Sequence, residues 1–276
     1  MTDFTERWLA AADKFGHLCV GIDPHTATLS KWSLPNTAAG AREFAHCILD
    51  ACVGAVGIVK PQSAFFERFG GEGLTVLDEI VQRAQSEGMM AILDAKRGDI
   101  GSTMEAYAEA AYGGVDRPAA DASTFSPYLG VGDLEPAFRA AANIGAAVLV
   151  VTQTSNPDGR GVQTARTGGG ATVQQSVVDD SIALTAQLEI PAATAGFVVS
   201  PAVTGAAEVD VPIGHAILVP GIGAQGLTPQ SARAAFPAEL QPYLILAASR
   251  VVSDAGPDAA ALEQRVADLG RDSKAA

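Results

Sequence analysis

Three residues of complementary charge, Asp94, Lys96 and Asp99, fall within six positions of one another. They lie in the stretch Ile92-Leu93-Asp94-Ala95-Lys96-Arg97-Gly98-Asp99-Ile100-Gly101-Ser102-Thr103. Two carboxylates and an ammonium this close perturb one another's proton affinity, and such clusters gather at functional sites. The alternative for any Asp-x-Lys is a surface ion pair at a strand end. Here the preceding run, Met89 to Leu93, is too apolar to be an exposed edge. It reads as a buried strand behind the helix-ending Gly88. Side chains alternate along a strand, so Asp94 and Lys96 should leave it on one face. Asp99 falls past the strand, where a loop turns into a helix with Ser102 as its expected N-cap. We take this stretch as the catalytic centre.

The elements around it repeat. A helix is expected over about 5–15, then an apolar strand from His17 to Ile22 that ends at Asp23-Pro24. Proline cannot continue strand pairing, which puts Asp23 at the tip. Val56 to Val59 is the second strand, closed by Lys60-Pro61, and Met89 to Leu93 the third. Further strands are expected at Ala119–Thr124, Ala146–Val151, Gly196–Val199, Ala216–Val219 and Tyr243–Ala248, with amphipathic helices between. Short apolar runs separated by such helices imply a parallel sheet covered by helices. About eight pairs at this length fit an α/β fold of the (β/α)8 TIM-barrel type, built as one domain over 1–276. The glycine-rich segment at about 153–171 is too long for a passive connector and reads as a lid. The tail from about 270 should fray.

Composition narrows the function. Of the 276 residues 48% are hydrophobic and 18% charged, which supports a full core. A net charge of -13 argues against a nucleic-acid partner, because phosphate backbones need a basic face. No apolar run is long enough to span a bilayer, so no membrane partner is expected. The N-terminus lacks a basic flank and an apolar h-region, so no secretory signal is expected. The three cysteines, Cys19, Cys47 and Cys52, read as buried thiols of a reducing, cytoplasmic protein, and the scattered histidines suggest no metal site.

Asp23, Lys60, Asp94, Lys96, Ser155 and Arg250 all fall at or just past the C-terminal ends of expected strands, the face on which barrel active sites are built. Gly221-Ile222-Gly223-Ala224-Gln225-Gly226 follows the seventh strand and Arg250 the eighth. Phosphate sites in these barrels use those two loops. Glycines let backbone N–H groups approach an anion, and an arginine can grip it with a bidentate fork. The glycines are not a dinucleotide fingerprint, since they come late in the chain and lack its acidic partner.

Asp94-Ala95-Lys96-Arg97-Gly98-Asp99-Ile100, with Thr103, resembles the Asp-x-Lys-x-x-Asp-Ile-x-x-Thr signature of the orotidine 5'-phosphate decarboxylases. The resemblance runs over nearly the whole chain, through Asp23, Lys60, Ser155, Pro220 to Gln225, and Arg250. Thr154-Ser155-Asn156-Pro157, leading a glycine-rich insertion, is similar to the longer branch of that family. The resemblance implies cofactor-independent conversion of orotidine 5'-phosphate to uridine 5'-phosphate and carbon dioxide, the last step of de novo pyrimidine synthesis, in a homodimer with shared active sites. Lys96 would then donate the proton to C6, and Asp94 would face the departing carboxylate. Asp99, lent by the second subunit, would complete the charged array with Lys60. Asp23, Lys60 and Thr103 would hold ribose hydroxyls, Thr103 again across the dimer. Ser155 would read the pyrimidine amide edge, and Gln225, Arg250 and nearby backbone N–H groups would hold the phosphate. Ile100, Pro220, Ile222, Gly223 and Ser249 join them as substrate-contacting positions. Ser249 stands where many of the family have glycine, and Arg160 and Arg166 in the insertion have no assigned role.

The chemistry agrees with these residue types. Losing carbon dioxide from C6 leaves a carbanion in the ring plane, where the pyrimidine π-system cannot delocalise it. No cofactor motif supplies an electron sink, so a preorganised ammonium must meet the charge. Two other readings compete: a Mg2+-dependent sugar-phosphate lyase or aldolase of the same barrel group, and a non-catalytic barrel that binds a phosphorylated nucleotide.

Overall fold

The computed structural model describes residues 2–114 and 117–274. Eight parallel strands close into a barrel in chain order: β1 (Leu18–Ile22), β2 (Ile58–Pro61), β3 (Met90–Arg97), β4 (Ala122–Phe125), β5 (Ala147–Gln153), β6 (Ala195–Val199), β7 (Ile217–Ile222) and β8 (Leu244–Ala248). β1 pairs with both β2 and β8, which completes the ring.

Strand parity sorts the apolar residues into two clusters. Val20, Ile22, Val59, Ala91, Leu93, Val148, Val150 and Leu246 face outward and pack under the helices. Cys19, Ile58, Met90, Ile92, Ala122, Leu149, Leu218 and Ile245 face inward and fill the barrel. The helix Phe4–Phe15 belongs to the inner cluster: Phe4 and Trp8 are buried against the inward residues nearest the strand N-termini. A capping box between Asp3 and Glu6 starts that helix, satisfying two otherwise unpaired backbone donors. One end of the barrel is thereby plugged, and the other remains for chemistry.

Several expectations need correction. β2, β3 and β7 run further than their apolar runs suggested, so Lys60, Asp94, Lys96 and Pro220 all sit within strands. Polar residues can extend the strands because their side chains open into the barrel mouth and need no apolar packing. Ser102 lies inside the helix Gly101–Tyr112, whose N-cap is Ile100 without a side-chain hydrogen bond. The expected alternation fails once: residues 200–216, between β6 and β7, contain no helix. That connection is instead tied to the end of β5, where Gln153 Nε2 donates to the Ala206 carbonyl at 3.1 Å and Gln153 Oε1 accepts from the Glu208 amide at 2.9 Å. The chain past 270 does not fray at once, because the last helix continues to Ser273. Ser273 is buried there, its Oγ accepting from the His17 amide at 3.0 Å. Residues 275–276 of the expected tail lie outside the described residues. Cys19 and Cys52 are buried as expected, whereas Cys47 is only half-buried.

The segment at 153–171 is folded rather than structureless. It contains a 3-10 turn at Pro157–Gly159, a helical turn at Arg160–Gln163 and a bridge between Arg166 and Thr172. Arg160 pairs with Glu208 at 2.8 Å, and Arg166 donates to the Gly170 carbonyl at 2.5 Å. Both arginines thus have partners within the loops.

Candidate active site

The inward series of each strand leads directly into the cleft. Cys19 is followed by Gly21 and Asp23, Ile58 by Lys60 and Gln62, and Ile92 by Asp94 and Lys96. Ala122 is followed by Thr124, Leu218 by Pro220, and Ile245 by Ala247 and Ser249. All these followers line one cleft of about 430 Å³ at the C-terminal mouth of the barrel. Ile222, the last residue of β7, lines it as well, as do Ser155, Gln225 and Arg250 beyond the strand tips.

Asp94 is its electrostatic centre. Its carboxylate is buried, with Oδ2 2.7 Å from Lys60 Nζ and Oδ1 2.5 Å from Lys96 Nζ. Thr124 Oγ1 donates to the same Oδ1 at 2.8 Å. Burial alone would raise the Asp94 pKa, but the two lysines outweigh it and hold the carboxyl below the usual range. Burial likewise favours neutral Lys60, yet Asp94 and then Asp23 push its pKa up. The floor of the cleft is therefore an ion triad, with Lys60 buried and the Lys96 side chain 46% exposed toward the opening.

The backbone beneath Lys96 is irregular. The β3–β4 register passes from Leu93↔Ser123 to Arg97↔Phe125, so a bulge holds the extra residues. Lys96 itself has φ +48°, in the left-handed region that a residue with a Cβ seldom occupies. Lys96 still reaches the face expected from strand alternation, but through a bulge rather than a regular pleat.

Asp23 brings an unmet hydrogen-bonding need. Its Oδ1 is buried and has no hydrogen-bond partner. Such an acceptor is costly unless a donor meets it, and this one belongs to a cleft-lining residue. Across the mouth, Gln225 Nε2 donates to Ser155 Oγ at 2.9 Å, joining the loops that follow β7 and β5.

Four expected site residues, Asp99, Ile100, Thr103 and Gly223, do not line the cleft of their own chain. Asp99 Oδ1 accepts from the Ile100 amide at 2.8 Å, while Ile100 and Thr103 are exposed. Gly223 has φ +75°, and a Cβ there would lie 2.6 Å from the Val251 Cβ, so glycine is required. Its amide, however, donates to the Leu227 carbonyl at 2.8 Å. The amides of Ala224, Gln225 and Gly226 are also spent on carbonyls within the loop. A phosphate here would meet side chains such as Arg250 and Gln225 rather than those amides.

Sequence reasoning overlooked Gln62, His25, Phe65, Thr124 and Asn156, all of which line the cleft. Strand parity would have found Gln62 and Thr124, each two positions beyond an inward residue. The His25 ring packs on Phe65 with centroids 4.1 Å apart, and burial lowers its pKa. Nothing in the local sequence signals that contact.

Among the described residues no three His, Cys, Asp or Glu side chains are grouped as a metal ion would need. The most buried acid of the cleft is instead engaged by two ammonium groups.

The chain is similar to known proteins over nearly its whole length. Residues 16–265 match the family model described as orotidine 5'-phosphate decarboxylase / HUMPS family. The orotidine 5'-phosphate decarboxylase of Salinispora arenicola is 42% identical over 276 residues, spanning 100% of this chain and 99% of that protein. That of Streptomyces coelicolor is 43% identical over 263 residues, covering 95% of this chain and 94% of its own. A crystal structure of a candidate orotidine 5'-phosphate decarboxylase from Streptomyces avermitilis superposes with a TM-score of 0.91 at 40% identity, over 99% of this chain and 95% of the other.

Proposed function

The chain belongs to the orotidine 5'-phosphate decarboxylase / HUMPS family, and we propose from that premise how its residues convert orotidine 5'-phosphate to uridine 5'-phosphate and carbon dioxide. This is the final step of UMP synthesis, carried out by a carboxy-lyase; neither the Mg2+-dependent lyase nor the non-catalytic barrel finds support in the relatives. The observation that carries the residue assignment is the triad Lys60–Asp94–Lys96 on the cleft floor.

In this reading the substrate carboxylate is set against Asp94, and the bond from C6 to the carboxylate carbon breaks. The electron pair stays on C6 and carbon dioxide leaves. Lys96 Nζ stabilises the developing carbanion and then delivers its proton to C6, recovering one later from water. A fixed ammonium in a closing site does this without reorganising solvent at the moment of reaction. Asp94 repels the departing carboxylate, and the phosphate contacts supply binding energy to offset that repulsion. Asp23 Oδ1 and Lys60 take ribose hydroxyls, which supplies the donor that the buried oxygen lacks. Ser155 reads the base and, with Gln225, Arg250, Pro220, Ile222 and Ser249, encloses the nucleotide, while the folded segment at 153–171 serves as lid.

We also assign Asp99, Ile100 and Thr103 to the cleft of a second copy. Ile100 is 58% exposed, and Tyr128 and Leu129, on the loop after neighbouring β4, are 82% and 52% exposed. Large apolar side chains gathered beside a functional mouth mark an association surface. A twofold dimer would bury them and exchange the acidic loops reciprocally. Three unpaired thiols and the pathway both fit a cytoplasmic location.

The test is direct. Purified protein treated with a chelator should lower the ultraviolet absorbance of orotidine 5'-phosphate and release carbon dioxide. Lys96→Ala should lose at least about a hundredfold in turnover, within the range for a general acid, yet still bind uridine 5'-phosphate. Turnover that requires added Mg2+, or a Lys96→Ala protein within tenfold of the parent, would overturn the reading.

A further inference from the structure

We propose that Thr124 is a positioning residue for the decarboxylation, its hydroxyl wedged between the Asp94 carboxylate and the Lys96 amide so as to hold the bulge that aims the Lys96 ammonium. The inference rests on the reading of Lys96 as proton donor given above.

The register shows why a side chain is needed here. Leu93 is opposite Ser123 and Arg97 is opposite Phe125, so Thr124 alone faces the span from Asp94 to Lys96. Regular ladder bonds cannot serve a bulge in which several residues oppose one. Thr124 Oγ1 takes their place, accepting from the Lys96 amide at 3.0 Å and donating to Asp94 Oδ1 at 2.8 Å. The direction of both bonds is forced, because an amide can only donate and a carboxylate only accept. A threonine hydroxyl has one proton and free lone pairs, and this one uses both kinds of capacity.

The wedge is rigid. Thr124 is fully buried, at 0% exposure, among inward neighbours such as Ala122 and Leu149. Regular pairing resumes just beyond it, where the Ser126 amide donates to the Arg97 carbonyl at 2.7 Å. On the other side the Asp94 carbonyl is held by the Ser63 amide and Gln62 Nε2, each at 3.1 Å. Lys96 keeps its left-handed backbone, φ +48°, between these two anchors. A non-glycine residue stays in that region only where its surroundings over-determine it. Removing the hydroxyl leaves the Lys96 amide without its partner and frees Asp94 Oδ1 to turn. The Lys96 Nζ to Asp94 Oδ1 contact at 2.5 Å then loses its fixed geometry.

A residue that merely fills the barrel would matter through its shape, and a positioning residue through its oxygen. Thr124→Val keeps the shape and removes the hydroxyl, whereas Thr124→Ser keeps the hydroxyl and removes a methyl group. We expect Thr124→Val to lower kcat by about tenfold or more, with the Kd for uridine 5'-phosphate within about threefold of the parent. Thr124→Ser should stay within about threefold in kcat even if its Tm falls. Because Thr124 acts through the triad, Lys96→Ala/Thr124→Val should be no slower than Lys96→Ala alone. If the valine variant does not fold, Thr124→Ala and Thr124→Ser form the deciding pair, since they differ by that oxygen. Equal kcat in the hydroxyl-bearing and hydroxyl-lacking variants overturns the proposal, as does a loss appearing in nucleotide affinity rather than kcat. An active Lys96→Ala protein would instead defeat the underlying reading of Lys96, so the two failures are distinguishable.

Discussion

Gly21 and Ser249 divide one small space at the cleft wall: a Cβ built on Gly21 would lie 2.7 Å from the Ser249 Cβ. Both residues face inward, Gly21 from β1 and Ser249 from the end of β8, and both line the cleft. The room for the serine side chain comes from the neighbouring strand, where Gly21 has none. The exchange keeps the wall beside Arg250 closely packed.

That relationship predicts a compensated pair. Gly21→Ala alone forces two carbon atoms into sub-van-der-Waals contact between backbones that cannot retreat, and overpacking of this kind costs about 1–3 kcal/mol. Ser249→Gly alone should be tolerated. The double variant should recover most of the Tm and kcat/KM lost in Gly21→Ala. Thermal melts and initial rates on the four proteins check this, and a double variant as impaired as Gly21→Ala would show that the two side chains do not compete.

Arg250 is expected to act through the phosphate. Arg250→Ala should reduce kcat/KM for orotidine 5'-phosphate by about tenfold or more, since losing a charge-assisted contact costs about 1.5–3 kcal/mol. It should change the slow turnover of unphosphorylated orotidine little. The amides of Gly223 to Gly226 are already bonded within their loop, which leaves the guanidinium as the main cationic grip on that side. Rates on the two substrates with each protein are the measurement. An equal loss on both would remove Arg250 from the phosphate.

The proposed sharing of active sites between two copies predicts complementation. Lys96→Ala and Asp99→Ala proteins should each be nearly inactive alone. A mixed dimer carries both defects in one site and neither in the other. Random exchange makes half the dimers mixed, so about a quarter of all sites should regain parental turnover. Subunit exchange followed by assay tests this; if exchange is demonstrated and no activity returns, Asp99 serves its own subunit.

The ion triad makes stability depend on pH in two opposite directions. The Asp94 pKa is depressed by folding, so its contribution is present above the unfolded value of about 3.9 and is lost as pH falls through the folded one. The Lys60 pKa is raised by folding, so its contribution is present below the unfolded value of about 10.4 and is lost as pH rises through the folded one. Chemical unfolding should therefore show both contributions intact between about pH 4 and 10. Asp94→Asn should lose about 3–5 kcal/mol at neutral pH, because Lys60 is left buried without its main partner. Its stability should also fall less steeply than the parent's in acid. A neutral-pH loss under 1 kcal/mol would mean that the pair contributes little.

Much of the site is legible in the chain itself because a barrel strand has a period of two. Once Ile58, Ile92 and Leu218 are placed inside, Lys60, Asp94 and Pro220 must follow them into the mouth, whatever the rest of the fold does. The phosphate side is similarly local, since β7 and β8 adjoin in both sequence and space, and Gln225 and Arg250 from the segments that follow them line the same cleft. Alternation and order along the chain are covalent properties, and they suffice for these residues. Other features depend on distances that no local pattern encodes. The hydroxyl of Thr124 reaches Asp94 and Lys96 only because β3 bulges against β4, and the register of that pairing is a property of two strands together. The amides of Gly223 to Gly226 look free in the sequence but fold back onto their own loop. Helix coverage between β6 and β7 gives way to a loop bound by Gln153, a contact between segments more than fifty residues apart. Tertiary neighbours decide the charge states: Lys60 is one lysine among several in the sequence, and the carboxylates of Asp94 and Asp23 beside it raise its pKa against the opposing effect of burial.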